Sequence, residues 1–130
     1  MSVVLLDTTV LIDVLRGRPV LERLRLVRSR ADVAATCAVN VEEVVRGLRP
    51  HEQVAVERLL DGLLVVPLDR MVGERAGAWR RDYAGRGTTL SQADCLIAAA
   101  ALSAGGRLAT GNPRHFPMPE VDVEHWPVGR

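Results

Sequence analysis

The sequence predicts an α/β protein, a three-layer α/β/α domain with a parallel sheet covered by helices on both faces. Three observations predict it. Short apolar runs alternate with stretches of helical periodicity along the 130 residues, and strands separated by helices imply right-handed crossovers and a parallel sheet. Two of the runs, Val3-Val4-Leu5-Leu6 and Leu63-Leu64-Val65-Val66, are continuous rather than alternating, as in strands buried on both faces. Glycine and proline punctuate the ends of the helical stretches, at Gly17, Pro50, Gly62 and Gly105-Gly106.

In chain order, the first strand runs straight into Asp7-Thr8-Thr9. A helix over 10–16 follows, stopped by Gly17. A second helix over 19–30 carries Leu21, Leu24 and Val27 on one face, with arginines between. Asp32 to Thr36 reads as a short strand. Residues 39–49 are helical and end before Pro50. Residues 51–61 form another helix, with Val54, Leu59 and Leu60 turned inward. The strand 63–66 is closed by Pro67. A helix over 69–84 leads into the loop Gly85 to Thr89. Ser91 to Ser103 is an alanine-rich helix, apolar all round from Cys95 to Leu102, and therefore central. Arg107 to Thr110 is a short strand, Gly111 to Phe116 a turn-rich segment, and Val121 to Val123 a last edge strand. The proline-rich stretch from Pro117 to Arg130 reads as cover for a sheet edge or a reach towards a partner.

The totals indicate one domain over 1–130. A chain of this length buries roughly two-thirds of its unfolded surface, enough for a core without staples. No apolar run reaches the ~18–20 residues of a membrane span, and no basic leader precedes the first strand. Cys37 and Cys95 lie in apolar surroundings without metal-ligand spacing, which indicates buried free thiols and a reducing cytoplasm. Net charge is +1, so charge does not announce a nucleic-acid binder. All 17 cationic side chains are arginine. Lysine chemistry is thereby excluded, and the cations suit bidentate phosphate contacts. The few aromatics, Trp79, Tyr83, Phe116 and Trp126, read as core or interface residues rather than base-stacking platforms.

Four positions could carry chemistry. Asp7 sits at the carboxyl end of a central strand, where open α/β sheets place their ligands; it equally suits a helix N-cap. Asp13 reads as exposed. In the 39–49 helix, Val41, Val44, Val45 and Leu48 define the core face. Glu42 has Arg46 four residues on, an ordinary helical ion pair. Glu43 has Gly47 at that spacing, and a mid-helix glycine would remove bulk and leave the carboxylate uncovered. Asp94 stands three residues after Ser91, as in a capping box, and in the first turn of the central helix it would face the strand ends. Asn112 follows another strand end, with Thr110 before it and Arg114 and His115 after it. These last two fit phosphate contact or plain surface turn. Three carboxylates meeting without lysine or histidine would persist only around a cation. Oxygen donors select Mg²⁺ or Mn²⁺ over Zn²⁺.

Four stretches together resemble the PIN-domain ribonucleases, and specifically the VapC-type toxins of type II toxin–antitoxin systems. They are Leu6 to Ile12 followed by Leu15-Arg16-Gly17, Glu43 with Gly47, Leu90 to Ala99, and Leu108 to Phe116. The resemblance implies a metal-dependent endoribonuclease acting on tRNA or ribosomal RNA. It also implies homodimerisation and a cognate VapB-type antitoxin as partner. Carried over by position, Asp7, Glu43 and Asp94 would hold Mg²⁺ or Mn²⁺, and Asn112 stands where many PIN nucleases have a fourth acid. Thr8 or Thr9, together with Thr110, would orient ligands or water, and Arg114 would contact phosphate. The reaction implied is attack of metal-activated water on an RNA phosphodiester.

Receiver domains and haloacid-dehalogenase-type phosphatases also use an aspartate after a central strand, but both require a lysine that this chain lacks. The remaining alternatives keep the PIN fold. One is an RNA- or protein-binding module with an inactive site, for which Asn112 is the one favourable feature. The other is a nuclease acting outside a toxin–antitoxin pair.

Overall fold

A computed structural model of the chain describes residues 2–17 and 20–129. Pro19, the expected first residue of the second helix, and Arg130, the end of the expected cover, lie outside the described residues. Strand β1 (Val3–Leu6) leads through Asp7 into helix α1 (Thr8–Leu15). Helix α2 (Val20–Ser29), strand β2 (Val33–Cys37) and helix α3 (Ala38–Arg46) follow. A 3₁₀ turn at Pro50–Glu52 opens into α4 (Gln53–Asp61), and β3 is Leu64–Val66. Helices α5 (Arg70–Gly85) and α6 (Gln92–Ser103) precede β4 (Arg107–Thr110). A second 3₁₀ turn, Pro113–His115, leads to β5 (Asp122–His125).

The five strands are ordered β3-β2-β1-β4-β5 and all pair in parallel. Strand β1 is central, with Val4 opposite Ala34 of β2 and Leu5 opposite Leu108 of β4. Side chains alternate between two cores, as the pleat requires. Leu5, Ala35 and Leu108 join the core under α5 and α6, with Trp79, Ile97 and Phe116. Val4, Leu6, Ala34 and Ala109 join the other, with Val10, Leu11, Leu24, Val44 and Trp126. The expected three-layer α/β/α architecture is thus present. Because every strand runs the same way, Asp7, the start of α3 and Thr110 all emerge at one edge of the sheet.

Several expectations are corrected. Strand β3 is an edge strand rather than one buried on both faces: Leu64 is 49% and Val65 51% exposed. A continuous apolar run looks the same with one neighbouring strand or two. On α3 the buried positions are Asn40 and Val44, whereas Val45 is exposed. Asn40 and Val44 stand one helical turn apart, so the inward face of α3 runs through them rather than through Val45. On α4 the buried valine is Val56, and Val54 faces solvent. Asp13 is buried, not exposed, because the C-terminal stretch folds over α1 and the Gly129 backbone N–H donates to Asp13 Oδ2 at 2.6 Å. Both cysteines are buried free thiols, as expected. No described helix is long and apolar enough to cross a membrane.

Candidate active site

Asp7 is both cap and site residue. It is extended in the backbone, and its Oδ1 accepts the Thr8 N–H at 2.9 Å, closing the start of α1. Its Oδ2 accepts the Thr110 hydroxyl at 2.7 Å from the end of the neighbouring strand. The carboxylate is almost wholly buried. Burial pushes its pKa above the ordinary carboxylate value; the Thr110 and Thr8 hydrogen bonds oppose this, and the charges of Asp94 and Glu43 push it further up. Asp94 and Glu43 therefore act on Asp7 electrostatically, although they lie 87 and 36 positions away along the chain.

Glu43 projects from α3, and its Oε1 accepts the Thr8 hydroxyl at 2.7 Å. The same hydroxyl accepts from Asn40 Nδ2 at 3.1 Å. The expected role of Gly47 is corrected here. Gly47 caps the end of α3, and a Cβ there would meet no side chain within 4 Å, only the carbonyls of Glu43 and Val44. Glu43 is distinguished by its Thr8 partner, not by an open face. Glu42 forms the expected exposed pair with Arg46, at 3.6 Å.

Asp94 lies in the first turn of α6, where its N–H donates to Ser91 Oγ at 3.0 Å. Its side chain is 26% exposed, and Oδ2 stands 3.7 Å from His115 Nδ1. Asn112 opens the Pro113–His115 turn. Its backbone N–H donates to the Thr110 hydroxyl at 3.0 Å. The Asn112 and Arg114 residues are exposed. Thr9 braces this loop: its hydroxyl accepts the Gly111 N–H at 3.1 Å. The structure thus connects Asp7, Thr8, Glu43 and Thr110 by hydrogen bonds and sets Asp94 within reach of their charge. Asn112 joins through its backbone, and Arg114 stands on the turn beside Asp94's partner His115.

The donor set suits a hard cation. Among the described residues, no group of three or more His, Cys, Asp or Glu side chains is drawn tightly enough to enclose an ion. A small hard ion does not need such a cage: Mg²⁺ keeps several waters and takes one or two carboxylates. A carboxylate raised mainly by burial, with two further anions adding to the shift, is an arrangement a divalent cation would relieve.

Sequence reasoning missed Asn40. The signal was its position three residues before Glu43, which puts both on one helical face. It was hidden because Asn40 lies among valines assigned to the core.

Known proteins similar to this chain identify its family. The PIN domain family profile matches residues 4–122. Ribonuclease VapC10 of Mycobacterium tuberculosis is 39% identical over 116 residues, spanning 88% of this chain and 86% of that protein. Ribonuclease VapC19 of the same organism is 32% identical over 116 residues, 88% of this chain and 92% of that one. Among solved structures, a DNA-bound VapBC from Salmonella typhimurium superposes with a TM-score of 0.83 at 28% identity, covering 97% of this chain and 99% of that one. VapBC2 from Rickettsia felis, bound to a fragment of its promoter, matches in fold with a TM-score of 0.84 at 20% identity, over 95% and 98% of the two chains. The chain therefore belongs to the PIN-domain family, in its VapC ribonuclease branch.

Proposed function

We propose that the chain, as one domain over residues 1–130, is the toxin of a type II toxin–antitoxin pair and hydrolyses RNA phosphodiesters in the cytoplasm with Mg²⁺ or Mn²⁺. The observation that carries the reading is the Asp7 carboxylate at the carboxyl edge of the sheet, tied to Thr110 and pushed upward chiefly by its burial, with the charges of Asp94 and Glu43 adding to the shift. Asp7, Glu43 and Asp94 are the residues that would hold the cation. A divalent ion bound there supplies an acidified water nucleophile and neutralises charge on the phosphoryl oxygens.

The chain's own residues do the rest. Thr110 and the Thr8 peptide fix the two oxygens of Asp7. The Thr8 hydroxyl fixes Glu43. Asn112, neutral where the PIN resemblance implies a fourth acid, leaves the site one negative charge short and favours a single firmly held ion. Arg114, exposed on the adjoining turn, suits a phosphate contact that positions the RNA backbone without reading bases. The VapBC assemblies among the structural neighbours support a VapB-type antitoxin as partner, and the family resemblance supports a homodimer, to be checked by sedimentation.

The test is sequencing of RNA ends after induced expression of wild type and Asp94→Asn. The reading expects new 5′ ends at a defined tRNA or ribosomal RNA position and growth arrest in wild type, and neither in the variant. Equal cleavage by both would overturn the assignment. The inactive-module reading, for which Asn112 is the favourable feature, requires that calorimetry show no Mn²⁺ binding in the millimolar range.

A further inference from the structure

We infer that Asn40 is a positioning residue for the site: its side-chain amide aims the single Thr8 hydroxyl proton at Glu43 and so sets where that carboxylate stands. The inference rests on the reading of Asp7, Glu43 and Asp94 as a divalent-cation site.

Asn40 is fully buried in the first turn of α3. Its Oδ1 lies 3.3 Å from the Cys37 backbone nitrogen and 3.1 Å from Cys37 Sγ. A backbone N–H can be answered only by the amide's oxygen, so turning the amide round would lose that bond and set an NH₂ against the N–H. Its NH₂ is thereby committed to the other side, where Nδ2 donates to Thr8 Oγ1 at 3.1 Å. A hydroxyl carries one proton and two lone pairs. With one lone pair taken by Asn40, the Thr8 proton is given to Glu43 Oε1 at 2.7 Å. That bond leaves the second Glu43 oxygen for a ligand.

The relay begins at a rigid point. Cys37 is the last residue of β2, in register with Val66 of β3. The order is then β2 backbone, Asn40 amide, Thr8 hydroxyl, Glu43 carboxylate. The Thr8 peptide also donates to Asp7. One threonine therefore places two acids against each other, and Asn40 fixes which way that threonine points. Ligand carboxylates held by such outer partners typically lose 10–100-fold in metal affinity when the partner is removed.

The test is Mn²⁺ affinity of the full chain by calorimetry, with folding followed by circular dichroism. The variants are Asn40→Leu, close in shape and unable to hydrogen-bond, Asn40→Ala, Thr8→Val, Thr8→Ser and the Asn40→Leu/Thr8→Val double. Expected are a roughly tenfold weaker Kd for each Asn40 variant and for Thr8→Val, near wild-type affinity for Thr8→Ser, and a double variant no weaker than Thr8→Val. That last result separates a relay through Thr8 from general loosening of the fold. Wild-type affinity in a folded Asn40→Leu chain overturns the inference, and so does a double variant weakened by the product of the two effects. Should neither Asn40 variant fold, unchanged affinity in Thr8→Val overturns it, since Asn40 reaches Glu43 only through that hydroxyl. A wild-type chain that binds no Mn²⁺ overturns the cation-site reading itself and takes this inference with it.

Discussion

The Thr110 hydroxyl donates to Asp7 Oδ2 at 2.7 Å, joining residues 103 positions apart at the ends of adjacent parallel strands. Thr110 is fully buried and also accepts the Asn112 N–H. Replacing it by valine keeps the shape and removes both bonds. Thr110→Val should cost about 1–3 kcal/mol in denaturant unfolding, the usual penalty for stranding buried polar groups. Mn²⁺ affinity should fall about tenfold. A valine variant with wild-type stability and affinity would refute a structural role for this bond.

Glu42 and Glu43 are adjacent in sequence and opposite in surroundings. Glu42 pairs with Arg46 on an exposed face, where such pairs contribute about 0.3–0.5 kcal/mol. Glu43 is held by Thr8 beside Asp7. Glu42→Gln should leave divalent-dependent RNA cleavage unchanged, whereas Glu43→Gln should lower it by at least about tenfold. Gel assays on total RNA distinguish the two.

Gly111 makes room for the C-terminal stretch. A Cβ there would lie 2.6 and 2.9 Å from the two Val128 methyl carbons and 3.3 Å from Thr9 Oγ1. The segment cannot simply swing away, because Trp126 is buried and the next-but-two N–H, of Gly129, is held by Asp13. Gly111→Ala should destabilise by about 1–3 kcal/mol, as overpacking does. Adding Val128→Ala should restore most of that, a coupling readable from a double-mutant cycle.

The Thr36 hydroxyl is buried and has no hydrogen-bond partner among the described residues. An unpaired buried hydroxyl is destabilising, and valine has the same outline without it. Thr36→Val should raise stability by about 1 kcal/mol. Lower stability in thermal unfolding would show that the hydroxyl has a partner in solution.

The pH dependence of stability should carry a contribution from Glu124. Partial burial pushes its pKa up, but the Trp126 indole N–H at 2.9 Å, Arg107 Nε at 2.8 Å and Arg23 outweigh this and hold it below the ordinary glutamate value. A carboxyl depressed in the folded state contributes stability above its unfolded pKa of roughly 4.3, lost as pH falls through the folded value. The group is about one-third exposed, so solvent screening keeps the effect to about 1 kcal/mol or less. Asp7, raised in the fold, has the opposite sign. Thermal midpoints of wild type should therefore drop more steeply than those of Glu124→Gln between about pH 5 and 3; parallel curves would refute the contribution.

The sequence by itself determined the layers, the central place of Val3–Leu6, the apolar character of α6, and the places of Asp7 after the central strand and of Asp94 in the first turn of α6. Those features are local: a continuous apolar run, a helical period and a cap residue are each written within about a dozen neighbouring positions. Only the tertiary structure decided that β3 lies at an edge, since Leu64 and Val65 look alike with one neighbouring strand or two. Only it buried Asp13, through contact with a segment 116 positions away. It also moved the buried stripe of α3 onto Asn40, and with it the partner of Thr8. Register and packing between distant segments fix these relationships, and a one-dimensional periodicity carries no record of which distant segment arrives. Asp7 shows both sides. Its place after a central strand was legible in the sequence, whereas its bond to Thr110 and its electrostatic link to Glu43 and Asp94 exist only because parallel pairing brings four strand and helix ends to one edge of the sheet.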